Sequence, residues 1–227
     1  MWQKILDALT TTDALGEMMS QLGDMLEAGQ WMFERASEVL MRRMDWASSA
    51  RELYARDRQI NRIEQDLRER VIAYLSVGNR SGLGACLVLM SIVKDAERIG
   101  DYCKNIFEVG KFYERQYSHP QYAGPLESVR GGVLPLFQRA RTAFVDSDSG
   151  LARSVMDAAG SLTKTCDVLI RQLLSTTEPM PADEAVAYVL LARFYKRVAA
   201  HLGNIASSVV SPVALIDYRD EKLPERV

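Results

Sequence analysis

At 227 residues, 48% hydrophobic and 26% charged, the chain can bury a substantial core, as one elongated domain or two small ones. Its formal net charge is −2, both signs are interspersed, and no basic stripe interleaved with aromatics appears, which excludes the usual nucleic-acid-binding profile. The longest apolar run, Ala85 to Val93, is well short of the roughly 20 residues needed to cross a bilayer. The opening Met1-Trp2-Gln3-Lys4-Ile5-Leu6 also lacks the apolar core and cleavage site of a signal peptide. The expectation is a cytoplasmic protein with no direct membrane insertion. Cys86, Cys103 and Cys166 are an odd set without Cys-x-x-Cys spacing, and read as buried reduced thiols.

In chain order, Trp2, Ile5, Leu6 and Leu9 form a short amphipathic segment, suited to a partner or dimer contact or to capping a bundle end. Asp13 is placed as the N-cap of a first long helix, with Leu15, Met18, Leu22, Met25, Met32, Ala36 and Val39 at three-and-four spacing and Gly29 in register. A second helix starts around Ser48-Ser49, with Leu53, Ile60, Ile63, Leu67, Val71 and Tyr74 on one side. Arg56, Asp57, Arg62, Glu64, Asp66, Arg68 and Glu69 give it a charged opposite face, and Gly78-Asn79 ends it. The third helix runs from about Leu83 towards Tyr113, apolar all round at first, which places it centrally.

Pro120 and Pro125 bracket the expected boundary between halves. A fourth helix follows with Leu126, Val129, Val133, Leu136, Ala140 and Phe144, and Pro135 predicts a kink or late start. Asp146-Ser147-Asp148-Ser149-Gly150 reads as turn and cap for a fifth, carrying Leu151, Val155, Ala158, Leu162, Cys166, Leu169 and Leu173. Asp183 is placed as the cap of a sixth, with Leu191, Phe194, Val198, Leu202, Ile205 and Val209.

The halves are related. Arg98 and Asn105-Ile106 recur as Arg197 and Asn204-Ile205, 99 residues on, and Leu75-Ser76 recurs as Leu174-Ser175 at the same offset. The fold class is therefore all-α: two tandem antiparallel three-helix bundles related by internal repeat, over 13–116 and 124–210, with a tail from 211 to 227. The Arg98/Asn105 and Arg197/Asn204 pairs are each two helical turns apart, and read as inter-helix bonding that fixes bundle register.

Glu97-Arg98-Ile99-Gly100-Asp101-Tyr102-Cys103-Lys104-Asn105-Ile106 resembles the phrase carried by the third helices of the PhoU family, regulators of bacterial phosphate uptake. There, a repeated Glu-x-x-x-Asp has Arg after the Glu and Asn after the Asp. Asp57 and Asn61 stand where that family often places polar residues on the second helix. The resemblance spans about 13–210. It implies tandem bundles acting by contact with a membrane-associated phosphate transporter subunit, a partner sensor histidine kinase, or both. It also implies, as in some members, an iron or zinc cluster on these carboxylates.

Glu97 and Asp101, one helical turn apart, supply two hard oxygen ligands, and Asp57, Asn61 and Glu64 add more if the second and third helices face one another. Taken without the resemblance, they form a solvated polar stripe with intrahelical pairs to Lys94 and its neighbours. Both readings stay open. In the second copy Lys196 and Ala200 replace Glu97 and Asp101, leaving only His201 and Asp183 as donors, so any metal is expected in the first repeat. No phosphate loop, His-Glu-x-x-His or Glu-x-x-His occurs, and the two histidines, His119 and His201, give little material for acid–base chemistry. The expectation is a non-enzymatic regulator, with a homo-oligomer allowed. The alternatives are a metal-cluster protein or a helical scaffold with no phosphate role.

Overall fold

The spacing of methionines and small residues in the first segment gives a 27-residue helix, α1 (Ala14–Leu40), whose Met18, Leu22, Met25, Met32, Ala36 and Val39 are all buried. The computed structural model describes residues 14–79, 82–211 and 213–216. After α1 come α2 (Trp46–Ser76), α3 (Leu83–Phe112), α4 (Pro120–Val145), α5 (Ser149–Ser175) and α6 (Ala182–Val210), then a 3-10 turn at Val213–Leu215. No strand occurs among the described residues. The Asp13 cap and the Trp2, Ile5, Leu6, Leu9 segment lie outside them.

Close contacts fix the register of each bundle. Gly29 faces Ile99, and Gly110 faces Leu40, so α1 and α3 run parallel. Gly100 faces Ile60 while Lys104 reaches Asp57, so α2 runs antiparallel between them. In the second half, Gly132 faces Leu162 and Gly203 faces Ala159, making α4/α5 and α5/α6 antiparallel neighbours. The bundles join through two antiparallel pairs, α3 with α6 and α1 with α4, and one continuous core crosses the seam. Phe33 of α1 meets both Phe137 of α4 and Tyr195 of α6 at 5.6 and 5.8 Å between ring centroids.

Several boundaries differ from the sequence expectation. The second helix starts at Trp46, two residues before Ser48. The Pro120–Pro125 stretch is not a linker: Pro120 opens α4, where a missing N–H costs nothing, and Pro125 and Pro135 both sit within one continuous helix. Asp183 is not the cap of α6; Pro181 holds that position, and Asp183 instead pairs with Arg115 at 2.6 Å. The Asp148 cap is as expected, its side chain accepting from the Leu151 N–H at 2.9 Å, with Ser147 at φ 53° making the turn.

The tightest backbone approach is at Gly110, where an added Cβ would lie 3.1 Å from the Leu40 amide nitrogen. Backbone cannot swing away as a side chain can, so Gly110→Val is expected to lower unfolding free energy by about 1–3 kcal/mol in urea titration. Gly131→Ala, where no atom lies within 4 Å, is the control. It should be neutral or stabilising by about 0.5–1 kcal/mol, through helix propensity alone.

Candidate functional site

Packing of α2 against α3 brings the expected carboxylates together, with lysines between them. Lys104 Nζ donates to both Asp57 oxygens and to Asp101 Oδ1, each at 3.1 Å. Nearly three turns towards the N-terminus of α3, Lys94 Nζ lies 2.8 Å from Glu97 Oε2 and 3.7 Å from Glu64 Oε1. Arg68 adds a second cation to Glu64 at 2.8 Å. Asp57 and Glu64 are therefore buried rather than part of a solvated face, and their charge is neutralised by α3 and by Arg68. Burial alone would lower the Lys104 pKa, but the hydrogen bonds from its ammonium to Asp101 and Asp57 outweigh that and raise it. Asn61, half-buried one turn from Asp57 on α2, completes the set expected from sequence.

The donor chemistry can be set against an iron or zinc ion. Buried Glu64 Oε1 and Glu97 Oε2 make no well-aligned hydrogen bond, as a ligand oxygen awaiting a cation would. Each nevertheless already has an ammonium or guanidinium at ion-pair distance. Among the described residues no group of three or more His, Cys, Asp or Glu is placed to hold a metal ion. As arranged, the groove does not fit one, because a cation would have to displace Lys94 or Lys104. Purified protein is accordingly expected to carry only sub-stoichiometric iron or zinc, and chelator should leave its melting temperature unchanged. Stoichiometric metal that vanishes in Asp101→Ala would contradict this.

In the second copy, Lys196 stands at the Glu97 position and pairs with Asp167 of α5 at 2.6 Å. The four motif residues divide. Arg197 Nε donates to Tyr102 Oη at 3.2 Å, and Asn204 Nδ2 donates to Asp95 Oδ1 at 2.9 Å, both reaching from α6 to α3. Arg98 pairs along its own helix, with Asp101 at 3.2 Å and Glu97 at 3.8 Å, and among the described residues it has no inter-helix bond. Its partner Asn105 lines a groove between α3 and α6.

Two polar nodes were not anticipated from the sequence. At the seam, Asp95 is 6% exposed and accepts from His201 Nδ1–H at 2.6 Å as well as from Asn204. A carboxylate only accepts, so Nδ1 carries the proton, and His201 Nε2 is buried without a partner. Tyr102 stacks on the His201 ring with centroids 5.7 Å apart. The second node lies where the α3–α4 connection crosses α6. Glu184, 2% exposed, accepts from Ser118 N at 2.6 Å, Ser118 Oγ at 2.7 Å and Tyr188 Oη at 2.9 Å, and contacts His119 Nδ1 at 3.2 Å. Burial would raise its pKa, but these hydrogen bonds prevail and hold it at about 2. The only sequence signal for Asp95 was a lone carboxylate in the apolar register of Ile92, Val93 and Ala96.

This geometry defines a tandem-bundle protein, in which two copies of one three-helix unit are joined by an antiparallel α3/α6 seam. The family model described as the PhoU domain matches residues 22–109 and 128–209. The chain belongs to the PhoU domain family. It is 25% identical, over 166 residues and 71% of each chain, to the phosphate-specific transport system accessory protein PhoU homolog 1 of Thermotoga maritima. It is 26% identical over 192 residues to the corresponding PhoU homolog of Deinococcus radiodurans, covering 82% of this chain and 88% of that one. Among solved structures, PhoU from Pseudomonas aeruginosa superposes with a TM-score of 0.77 at 22% identity, covering 87% of this chain and 95% of that one. The phosphate transport system regulatory protein PhoU from Streptococcus pneumoniae gives 0.71 at 20% identity, covering 86% and 93%. These two likenesses show the fold.

Proposed function

We propose that the chain is an accessory regulator of phosphate transport and phosphate-starvation signalling, working by protein–protein contacts on the cytoplasmic side of the membrane. The observation that carries this reading is the PhoU domain match over both halves, with relatives named as accessory proteins of phosphate-specific transport systems. No helix among the described residues is long and apolar enough to cross a membrane, in keeping with a protein that docks onto membrane-associated partners. A non-enzymatic role is supported by how the reactive groups are spent. His201 is bound to Asp95 and His119 to Glu184. The three cysteines are buried, with thiol pKa values raised by burial, to about 12 at Cys166 and further at Cys103.

The partners proposed are a phosphate transporter subunit and a sensor histidine kinase. In-cell cross-linking of the tagged full chain in its native host, in phosphate-rich medium, tests this. Recovery of either partner is the expected result, and recovery of neither, with the tagged chain abundant, would overturn the reading.

A further inference from the structure

Where the C-terminus of α1, the start of α4 and the N-terminal half of α6 converge, the core leaves a cavity of about 190 Å³. Its walls are Leu40 of α1, Leu126 of α4, Leu191 of α6 and three phenol rings, Tyr117, Tyr188 and Tyr195. Tyr117 comes from the α3–α4 connection, so the cavity bridges the two repeats. Half-buried Ala123 and exposed Glu127 also line it and mark its mouth. The shared bundle does not require these rings. Under the 99-residue offset Tyr188 and Tyr195 stand where the first copy has buried Leu89 and Ala96.

The walls are held in place. Arg42 Nη1 donates to Gly110 O at 2.5 Å and fastens the end of α1 to α3. Ser118, next to Tyr117, is tied to Glu184 by its backbone N–H and its hydroxyl. Tyr117 and Tyr188 pack ring against ring, with centroids 5.1 Å apart. A cavity with fixed walls can take a guest without first being rearranged.

What it can hold follows from its free polar groups. Tyr188 Oη is committed to Glu184 at 2.9 Å and to the His119 carbonyl at 3.3 Å. Glu127 is held by Arg130, whose Nε donates to it at 2.8 Å. Tyr117 Oη, in contrast, is buried with no hydrogen-bond partner among the described residues. Burial raises its pKa, so the phenol stays neutral and keeps its proton to donate. A buried water needs roughly two to four polar partners, and one free hydroxyl among leucines and rings does not supply them. Size is the other limit. An apolar cavity of about 150 Å³ admits benzene, so this one has room for a single six-membered ring with a small substituent. The faces and edges of three tyrosine rings favour a flat aromatic guest over a puckered one.

We propose that this cavity binds a small uncharged monocyclic arene whose one hydroxyl or carbonyl substituent takes the hydrogen bond of Tyr117. The proposal is independent of the transport reading and adds a ligand site between the repeats.

The probes are p-cresol, toluene, which lacks the hydroxyl, and 4-methylcyclohexanol, which lacks the flat ring. Each is titrated into the full-length chain and followed by ligand-observed NMR. p-Cresol is expected to bind with a Kd on the order of 0.1–1 mM. It should bind about three- to tenfold tighter than either analogue. Tyr117→Phe should bring p-cresol to the level of toluene and leave toluene itself unchanged, a split that general loss of folding would not produce. Ala123→Phe, which blocks the mouth from a half-buried position, should remove binding of both at an unchanged melting temperature. No saturable binding of p-cresol, binding no tighter than that of the analogues, or binding that survives Ala123→Phe would overturn the proposal. So would a Tyr117→Phe chain that binds p-cresol like the parent.

Discussion

Asp95→Ala is expected to be the most destabilising single substitution at the seam, lowering unfolding free energy by about 2–4 kcal/mol. The reason is what it leaves behind. His201 Nδ1–H and Asn204 Nδ2 both point at Asp95 Oδ1, and neither gains a new acceptor when the carboxylate is cut away. His201 already has one ring nitrogen buried without a partner, so the loss would leave both ring nitrogens unsatisfied. Asp95→Asn should recover part of the loss, since its carbonyl oxygen still accepts. Urea unfolding of Asp95→Ala, Asn204→Ala and the double variant isolates the pair, with a coupling of about 1–3 kcal/mol expected. A cost below about 1 kcal/mol for Asp95→Ala would mean that apolar packing alone joins the bundles.

Glu184→Gln carries the second large effect, and it depends on pH. The folded-state pKa of Glu184 is held at about 2, against an ordinary value of 4.5. Such a depressed carboxylate contributes its full stability above pH 4.5 and loses it as pH falls through 2. The contribution at neutral pH is about 3 kcal/mol. The amide cannot ionise, and it presents a donor where Ser118, His119 and Tyr188 require an acceptor. Chemical denaturation from pH 7 to pH 2 should therefore show the variant less stable at neutral pH, with the difference narrowing between pH 4.5 and 2. A difference that is constant over that interval would show that the hydrogen bonds do not favour the ionised form.

What the sequence made legible was whatever is written in periodicity. The three-and-four spacing from Met18 to Val39 located α1, and the 99-residue offset between Arg98 and Arg197 gave two bundles of three helices. The site was legible only in part. Spacing placed Glu97 and Asp101 on one turn and set Asp57, Asn61 and Glu64 on a face that could meet them. It did not show that Lys94 and Lys104 lie between the carboxylates, because an i,i+3 lysine reads equally well as a solvated surface pair. Asp95 and Glu184 are not legible in the sequence because the contacts that bury them, to His201, Asn204 and Ser118, come from more than 60 residues away. Residue type favours Asp183 as a cap, but Arg115 from the far side of the seam pairs with it instead. Arg98 and Arg197 show the limit of the repeat. They occupy equivalent positions, yet Arg197 lies over the Tyr102 ring across the seam while Arg98 pairs with Asp101 along its own helix.

The proposed role, accessory regulation of phosphate transport, is tested most directly by measuring labelled-phosphate uptake in the native host with and without the chain, at high and at low external phosphate. Deletion is expected to change how uptake responds to external phosphate, and the parent chain supplied in trans should restore the parent response. Uptake that is identical in the two strains at both high and low phosphate would contradict the account.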